Sequence, residues 1–204
     1  MADRVADLRE TQKARTRALL LKNSWALFAT QGYAKTTVAQ IARVSGASRA
    51  TFYLHFSAKW ETVGELLQVR LMPETLDYYR RLDALGSPSR AELRTWLDDA
   101  LNFYDRHESE LAIWRQATAM EPDLARVQAE GMSAIVQVMP GFLRRFGPDR
   151  RDEARLRVSL LVTQLTDFAI DWTSGHWDFR RDTLLDVLLD FWIAGMRAPV
   201  TAHV

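Results

Sequence analysis

A tight turn between two short helical patterns, in the segment from residue 37 to residue 56, limits the possible folds more than any other feature of the sequence. Thr36 and Thr37 before the first helix, and Ser48 before the second, are candidate helix caps, because a hydroxyl before the first turn accepts a free backbone N–H. Gly46, between the two patterns, can adopt the left-handed conformation that ends a helix. The apolar side chains expected to pack the two helices together are Val38, Ile41, Ala42, Phe52 and Phe56. The segment therefore predicts a helix-turn-helix.

The rest of the chain also has helical periodicity, and no alternating strand pattern competes with it. A first helix is predicted over residues 11–30, ending at Gly32. After the turn, Ser57 is expected to cap a helix in which Pro73 introduces a kink. Further helices are predicted over residues 89–107, 109–119, 122–146, 150–174 and 181–197. The fold class is therefore all-α, with about nine helices in an N-terminal helix-turn-helix domain over residues 1–58 and a larger helical domain over residues 59–204.

Charge is distributed unevenly along the chain. Residues 1–60 contain ten Lys and Arg side chains but three acids, a formal charge of +7, whereas the remaining residues carry −6. No Asp or Glu occurs between Thr11 and Trp60. A basic segment without acids attracts a polyanion through its long-range field and through counterion release. The N-terminal part is therefore expected to bind nucleic acid.

The second helix of the predicted helix-turn-helix has an outer face suited to the major groove of DNA. It contains no acid and several hydrogen-bonding groups: Ser48, Arg49, Ala50, Thr51, Tyr53 and His55. Arg49 is the best candidate for reading a guanine, because its guanidinium presents two parallel donors to O6 and N7.

Three motifs follow one another in this part of the chain: Gly32-Tyr33, Thr36-Thr37-Val38-Ala39-Gln40-Ile41-Ala42, and Gly46-Ala47-Ser48-Arg49-Ala50-Thr51-Phe52-Tyr53-Leu54-His55-Phe56-Ser57-Ala58-Lys59. Their order resembles the TetR family of transcriptional regulators, and the resemblance covers about residues 11–67. The sequence departs from the family pattern at Ala47, where a larger aliphatic residue is common, and at Trp60, where an acid is usual. Neither departure removes a group expected to face DNA.

The resemblance implies that residues 1–58 are the DNA-binding domain and residues 59–204 the effector-binding and dimerisation domain. It also implies a homodimer whose recognition helices enter successive major grooves of a palindromic operator. It implies that Ser48, Arg49, Ala50 and Thr51 face base edges. Phosphate contacts are implied for Thr37, Tyr53, His55 and Lys59, and the predicted DNA-binding set also includes Thr36. Three alternatives stay open at this point: Tyr53 as half-buried core, His55 as a neutral structural residue, and Lys59 as a solvated surface lysine.

The family has a small-molecule pocket in its middle helices, and the sequence offers aromatic side chains for one. The predicted ligand-binding residues are Trp96, Phe103, Tyr104, His107, Trp114, Met139, Phe142 and Phe168. Each of them is also an ordinary core residue by type. The effector is expected to be small and apolar or aromatic.

The C-terminal segment Thr183 to Gly195 is apolar on nearly all sides and needs burial on both flanks. Pairing with the helix over residues 156–172 in a symmetric four-helix contact would provide that burial. The predicted anchors of this dimer interface are Leu161, Leu165, Trp172, Leu188 and Trp192.

Other classes of protein fit the sequence less well. An enzyme is disfavoured because the chain has no HExxH motif, no nucleophile elbow and no glycine-rich phosphate loop. An RNA binder would show exposed aromatics on a sheet or a KH-type loop, and a chromosome-coating protein would be basic throughout. With no cysteine and no long apolar run, we expect a cytoplasmic protein without a metal, a cofactor or a membrane partner.

The sequence therefore predicts a ligand-responsive transcriptional regulator, a repressor that leaves its operator when an effector binds. An activator, or a regulator of the same family that requires its ligand, is the alternative. The N-terminal arm, with Arg4 and Arg9, is expected either to reach the minor groove or to form a disordered tail.

Overall fold

The computed structural model describes residues 2–175 and 177–197, with the side chains of residues 2–6 left out. The described residues contain helices and no strand, which confirms the all-α fold class. They form two compact units. Unit 1 comprises the residues up to 71 together with residues 112–127, and unit 2 comprises residues 72–111 and those from 128 onward. These units are defined by packing, and the functional boundary between residues 58 and 59 stays a prediction.

Unit 1 begins with a long helix and the predicted helix-turn-helix. Its helices are α1 (Ala2–Gln31), α2 (Val38–Val44), α3 (Arg49–Tyr53) and α4 (Lys59–Leu66), the last of which continues as a π-helical turn (Leu67–Leu71). The predicted caps of α2 and α3 are confirmed: Ser48 accepts the N–H of Thr51, and Thr37 forms a capping box with Gln40. Gly32 and Gly46 have φ of 83° and 65°, as the helix ends require.

A buried aromatic and aliphatic core holds α1, α2 and α3 together. It contains the predicted Ile41, Ala42, Phe52 and Phe56, all at most 1% exposed, together with residues of α1. Ile113, Ala117, Leu124 and Val127 belong to the same core, and Ala47 and Trp60 pack against it. The helix-turn-helix is therefore rigidly packed, with its outer face left for other contacts.

Unit 2 is built from the helices that follow. These are α5 (Met72–Ala84), α6 (Arg90–Arg106), α7 (Glu108–Met120), α8 (Leu124–Gln137), α9 (Pro140–Arg144), a 3₁₀ turn (Pro148–Arg150), α10 (Arg151–Thr173) and α11 (Arg181–Met196), although the later part of α7 and the start of α8 belong to unit 1. None of the described helices combines the length and the apolar character needed to cross a bilayer.

Three expectations about helix boundaries were wrong. Pro140 divides the helix predicted over residues 122–146, because proline has no backbone N–H and its ring clashes with the carbonyl four residues earlier. α1 begins at Ala2 rather than Thr11, so the expected arm is helical, and the side chain of Arg4 lies outside the described residues. Ala58, not Ser57, is the N-cap of α4, since the backbone and hydroxyl of Ser57 donate to Glu61 instead.

The kink expected at Pro73 stays a prediction, but the helix is irregular next to this residue. The π-helical turn Leu67–Leu71 lies immediately before it, where the helix must absorb the missing hydrogen bond. If α4, the π-helical turn and α5 are counted as one helix, the described residues contain ten helices. Nine were predicted, and the short α9 is the additional one.

Asp83 caps the helix that Pro140 starts. Its carboxylate accepts the backbone N–H of Gly141 at 2.8 Å and of Phe142 at 2.6 Å. Because hydrogen bonds to a charged group are the stronger ones, we expect Asp83→Ala to lower the free energy of unfolding in urea by about 2 kcal/mol. Asp77→Ala removes only an ion pair with Arg81 whose partners are both more than half exposed, and should cost less than about 0.5 kcal/mol. Equal losses would contradict this assignment.

Candidate DNA-binding site

The outer face of α3 presents the side chains that the sequence assigned to base edges. Ser48, Arg49 and Ala50 are exposed, and Thr51 is partly exposed beside the hydroxyl of Ser48 at 2.9 Å. Tyr53 is 50% exposed and its ring edge meets Phe52, so it is not a buried core residue. The structure therefore brings the four predicted base-facing residues and Tyr53 together on one short, rigidly capped helix.

The two threonines predicted to bind DNA, just before α2, differ in exposure. Thr37 is exposed, and its side chain accepts the Gln40 N–H at 3.2 Å while Gln40 accepts the Thr37 N–H at 2.8 Å. Thr36 is 2% exposed, and its hydroxyl donates to the carbonyl of Gly32 at 2.8 Å. Because the Thr36 side chain is buried and held by this bond, it cannot contact DNA. Its predicted DNA-binding role was wrong, and its role is structural. Sequence reasoning missed Gln40, although a Gln three residues after a capping Thr is the signal of a capping box.

Lys59 holds the loop that precedes α2. Its Nζ donates to the carbonyls of Tyr33 at 2.9 Å and Thr36 at 3.0 Å, and lies 3.8 Å from the centroid of the Tyr33 ring. Burial lowers the pKa of Lys59, and the negative charge of Glu121 acts in the opposite direction by raising it. The Tyr33 hydroxyl in turn donates to Glu121 at 2.7 Å. Lys59 is therefore neither a freely solvated lysine nor a side chain free to reach a phosphate without breaking these bonds.

We expect Lys59→Met to lower the free energy of unfolding by about 2 kcal/mol, because two carbonyls lose a charged donor. It should also weaken binding to every DNA sequence alike, since the loop before α2 loses its anchor. Thermal unfolding and binding to random duplexes measure the two effects, and Lys22→Met, at an exposed position of α1, is the matched control. Lost DNA binding with unchanged stability would assign Lys59 to a phosphate instead.

His55 lies in an open groove of about 410 Å³ beside α1, lined also by Lys13, Arg17 and Leu54. Its Nδ1 is buried without a hydrogen-bond partner. Burial and the charges of Arg17 and Lys13 lower the pKa of His55. A proton on the buried Nδ1 would be a donor without an acceptor, so a neutral ring with its proton on Nε2 is favoured. At neutral pH, His55 therefore offers DNA an uncharged N–H donor.

Arg17 is tied into unit 1 and is not a free cation. Its guanidinium pairs with Glu65, donates to the carbonyl of His55 and lies 4.1 Å from the centroid of the Phe56 ring. Leu54, by contrast, is 80% exposed at the end of α3. Sequence reasoning did not select Leu54, because helical periodicity alone does not show that the helix has already ended at Tyr53.

Comparisons with known proteins identify the helix-turn-helix. Residues 20–65 match the family model described as bacterial regulatory proteins, tetR family. The chain is 29% identical over 184 residues to the probable HTH-type transcriptional regulator ArpR of Pseudomonas putida, an alignment that covers 86% of this chain and 85% of that protein. Residues 20–65 are a DNA-binding domain of the TetR family. The chain is a DNA-binding transcriptional regulator, and the relatives that match it are named as transcriptional regulators.

Solved structures share the fold of this chain over about nine tenths of its length. NalD of Pseudomonas aeruginosa, described as the secondary repressor of the MexAB-OprM multidrug efflux pump, is 25% identical with a TM-score of 0.56, covering 89% of this chain and 96% of its own. Thermus thermophilus FadR, a TetR-family repressor solved in complex with lauroyl-CoA, is 19% identical with a TM-score of 0.65, covering 92% and 98%.

The predicted ligand-binding residues are divided between the two units. Trp96, Phe103, Tyr104, Met139 and Phe142 are buried in unit 2, whereas Trp114 packs against the core of unit 1. His107 meets Glu74 at 3.1 Å and packs on Phe103. Phe168 contacts Trp177 and Phe179, which are both exposed. Of the predicted set, Met139 and Phe142 line a small cavity.

Four of the five predicted dimer anchors lie inside the protomer instead of on its surface. Leu161, Leu165, Leu188 and Trp192 are at most 8% exposed, whereas Trp172 is partly exposed and donates to the carbonyl of Phe179 at 3.1 Å. The four are buried because α10 and α11 pack tightly on each other: a Cβ on Gly195 would lie 2.8 Å from Leu161. The exposed apolar side chains of these two helices are other ones, at Leu156, Leu160, Val187 and Phe191, each 51–61% exposed. Helical periodicity correctly predicted that α10 and α11 are apolar. It could not predict which apolar face of each helix is exposed to solvent.

Proposed function

We propose that the chain is a transcriptional repressor that binds a palindromic operator as a homodimer and leaves it when a small, apolar or aromatic effector binds. The acid-free, exposed outer face of α3 is the observation that carries the DNA-binding part of the proposal. Two relatives in fold are described as repressors, NalD and FadR. The remaining parts rest on the surfaces described below.

The proposed contacts with DNA follow the positions of the exposed side chains. Arg49 reads a guanine from the first turn of α3, with Ser48, Ala50 and Thr51 on the neighbouring base edges. Thr37 and Tyr53 contact phosphates on either side, and neutral His55 donates to a third. Lys59 supports these contacts from behind by fixing the loop before α2.

The proposed dimer interface is the exposed face of α10 and α11. Leu156 and Leu160 lie one turn apart on α10, and Val187 and Phe191 lie one turn apart on α11. Water-exposed apolar strips on two adjacent helices are typical of a surface that pairs with its own copy in a four-helix contact. A dimer built this way presents two copies of α3, which explains why the operator is expected to be an inverted repeat.

Release by an effector requires that the effector bind one arrangement of the dimer better than the other. Unit 2 contains buried aromatic side chains on several helices, and it carries the proposed dimer helices. An effector bound there acts on the operator through the helices that it packs against. The coupling free energy is expected to be about 1–3 kcal/mol.

A transcription assay in vitro tests the direction of regulation. The duplex that the protein selects is placed between the two promoter elements of a template, and a template with a scrambled duplex is the control. The proposal predicts fewer transcripts from the first template only. More transcripts would assign the chain as an activator, and an effect seen only with added ligand would assign it as a ligand-requiring regulator.

A further inference from the structure

An aromatic cluster in unit 2 joins α5, α6 and α11. The Trp96 ring stacks on Tyr78 with centroids 4.3 Å apart, and it also contacts Tyr79 at 5.6 Å and Trp192 at 4.8 Å. All four side chains are buried. Each carries one polar atom into an apolar surrounding, so each needs a hydrogen-bond partner there.

Two of these four polar groups have partners and two have none. The Tyr78 hydroxyl donates to the carbonyl of Trp96, and the Trp96 indole N–H donates to the carbonyl of Tyr78 at 3.2 Å. The Tyr79 hydroxyl and the Trp192 indole N–H find no acceptor, although their side chains are only 3% and 1% exposed. A buried donor without an acceptor is rare in a native core and needs a reason.

Both unsatisfied residues line the same cavity. It lies among α5, α9, α10 and α11, is lined otherwise by apolar side chains including Phe142 and Leu161, and has a volume of about 10 Å³. Met139 and Met196 form part of its wall. Because methionine side chains are unbranched and adaptable, this wall can reshape around a larger guest.

The chemistry of the lining defines what fits. No charged side chain lines the cavity, so a carboxylate or an ammonium group would be buried there without a counter-ion, at high cost. Burial raises the pKa of Tyr79 well above its ordinary value, so its hydroxyl remains a neutral donor at physiological pH. The Tyr79 hydroxyl and the Trp192 indole N–H can both donate to an oxygen atom of a ligand.

We propose that the effector binds in this cavity and is a neutral, largely apolar molecule with a hydrogen-bond acceptor, such as a carbonyl oxygen, that accepts from Tyr79 and Trp192. The proposal rests on the effector-responsive function proposed above and names the site and the ligand class. Trp192 belongs to α11 and Leu161 to α10, so a guest that enlarges the cavity pushes directly on the proposed dimer helices.

The test compares ligands that differ only in the acceptor. Acetophenone and 2-acetylnaphthalene are titrated into the full-length protein beside α-methylstyrene and 2-isopropenylnaphthalene, in which a methylene group replaces the carbonyl oxygen. Both ketones should bind more tightly than their alkenes, by roughly 3- to 10-fold for each of the two hydrogen bonds. The indole N–H resonance of Trp192, assigned with Trp192→Phe, should shift downfield with the ketones alone.

Tyr79→Phe and Tyr78→Phe form a matched pair of variants. Tyr79→Phe should lower the preference for ketone over alkene by roughly 3- to 10-fold, the contribution of one hydrogen bond. It should not lower thermal stability, since the hydroxyl has no partner in the unliganded protein. Tyr78→Phe should keep the preference and lower stability, because its hydroxyl is bonded to Trp96. A purely structural role of Tyr79 would reverse the stability result and leave the ligand preference unchanged.

Three results would overturn the inference: equal affinity for ketone and alkene, tighter binding of 2-naphthoate than of the ketone, or no ketone binding up to its solubility limit. Operator binding by the unliganded protein is measured in the same preparations. Intact operator binding with any of these three results means that the inference alone fails. Ketone binding by a protein that selects no operator means that the proposed repressor function fails while the ligand site stands.

Discussion

Phe191→Glu is expected to convert the dimer into monomers and to weaken operator binding by about 100- to 10,000-fold. Phe191 is 60% exposed on α11, so a glutamate there is tolerated by the isolated protomer but is buried as an unpaired charge in the proposed four-helix contact. A monomer holds a single half-site and loses the effective concentration that joins the second recognition helix to the first. Sedimentation velocity and operator titration measure the two effects.

Leu85→Glu is the control for this substitution. Leu85 is an exposed leucine after the end of α5, away from α10 and α11 in sequence, and its side chain is 40% exposed. The control should remain dimeric and bind the operator like the unchanged protein. If Phe191→Glu sediments as a dimer, the interface lies elsewhere, and the exposed strip at Leu156, Leu160 and Val187 needs another explanation.

Arg49→Ala is expected to weaken binding to the selected operator by about 1–3 kcal/mol, or roughly 5- to 150-fold, and to relax the preference at one base position of each half-site. The guanidinium projects from the first turn of α3, whose N-terminal end is fixed by the Ser48 cap. Its loss removes a paired contact with a guanine, whereas binding to random DNA should fall little. Titration of the operator and of every single-base variant at that position measures the effect.

Arg43→Ala is the matched control, because Arg43 is an exposed arginine in the last turn of α2. Because it removes only a surface charge outside α3, it should change the binding of operator and random duplex by the same factor. If Arg49→Ala also weakens both kinds of duplex equally, Arg49 contacts the backbone, and base reading belongs to another residue of α3.

The helix-turn-helix could be predicted from sequence almost to the residue, for a physical reason. Thr37, Gly46 and Ser48 act through bonds to their own backbone neighbours, so their roles depend on local sequence alone. Pro140 is equally local, and its effect on the helix over residues 122–146 could have been predicted from the missing N–H.

Roles that depend on contacts distant in sequence could not be predicted in the same way. Lys59 resembles a phosphate-binding lysine by its position, but its ammonium group is held by carbonyls 23 and 26 residues earlier. Leu161 and Leu165 have the same apolar character as Leu156 and Leu160, and only the packing of α11 decides which pair is covered. The unsatisfied donors of Tyr79 and Trp192 become visible only when every neighbouring acceptor has a position.

Selection of bound duplexes from a random pool, by the purified full-length protein at about 150 mM salt, tests the central claim most directly, because this salt suppresses weak electrostatic binding. The account predicts an inverted repeat with half-sites about one helical turn apart, in which the position read by Arg49 is a guanine. Enrichment of a single asymmetric site, or no enrichment with and without the ketone probes, would contradict a dimeric operator-binding regulator.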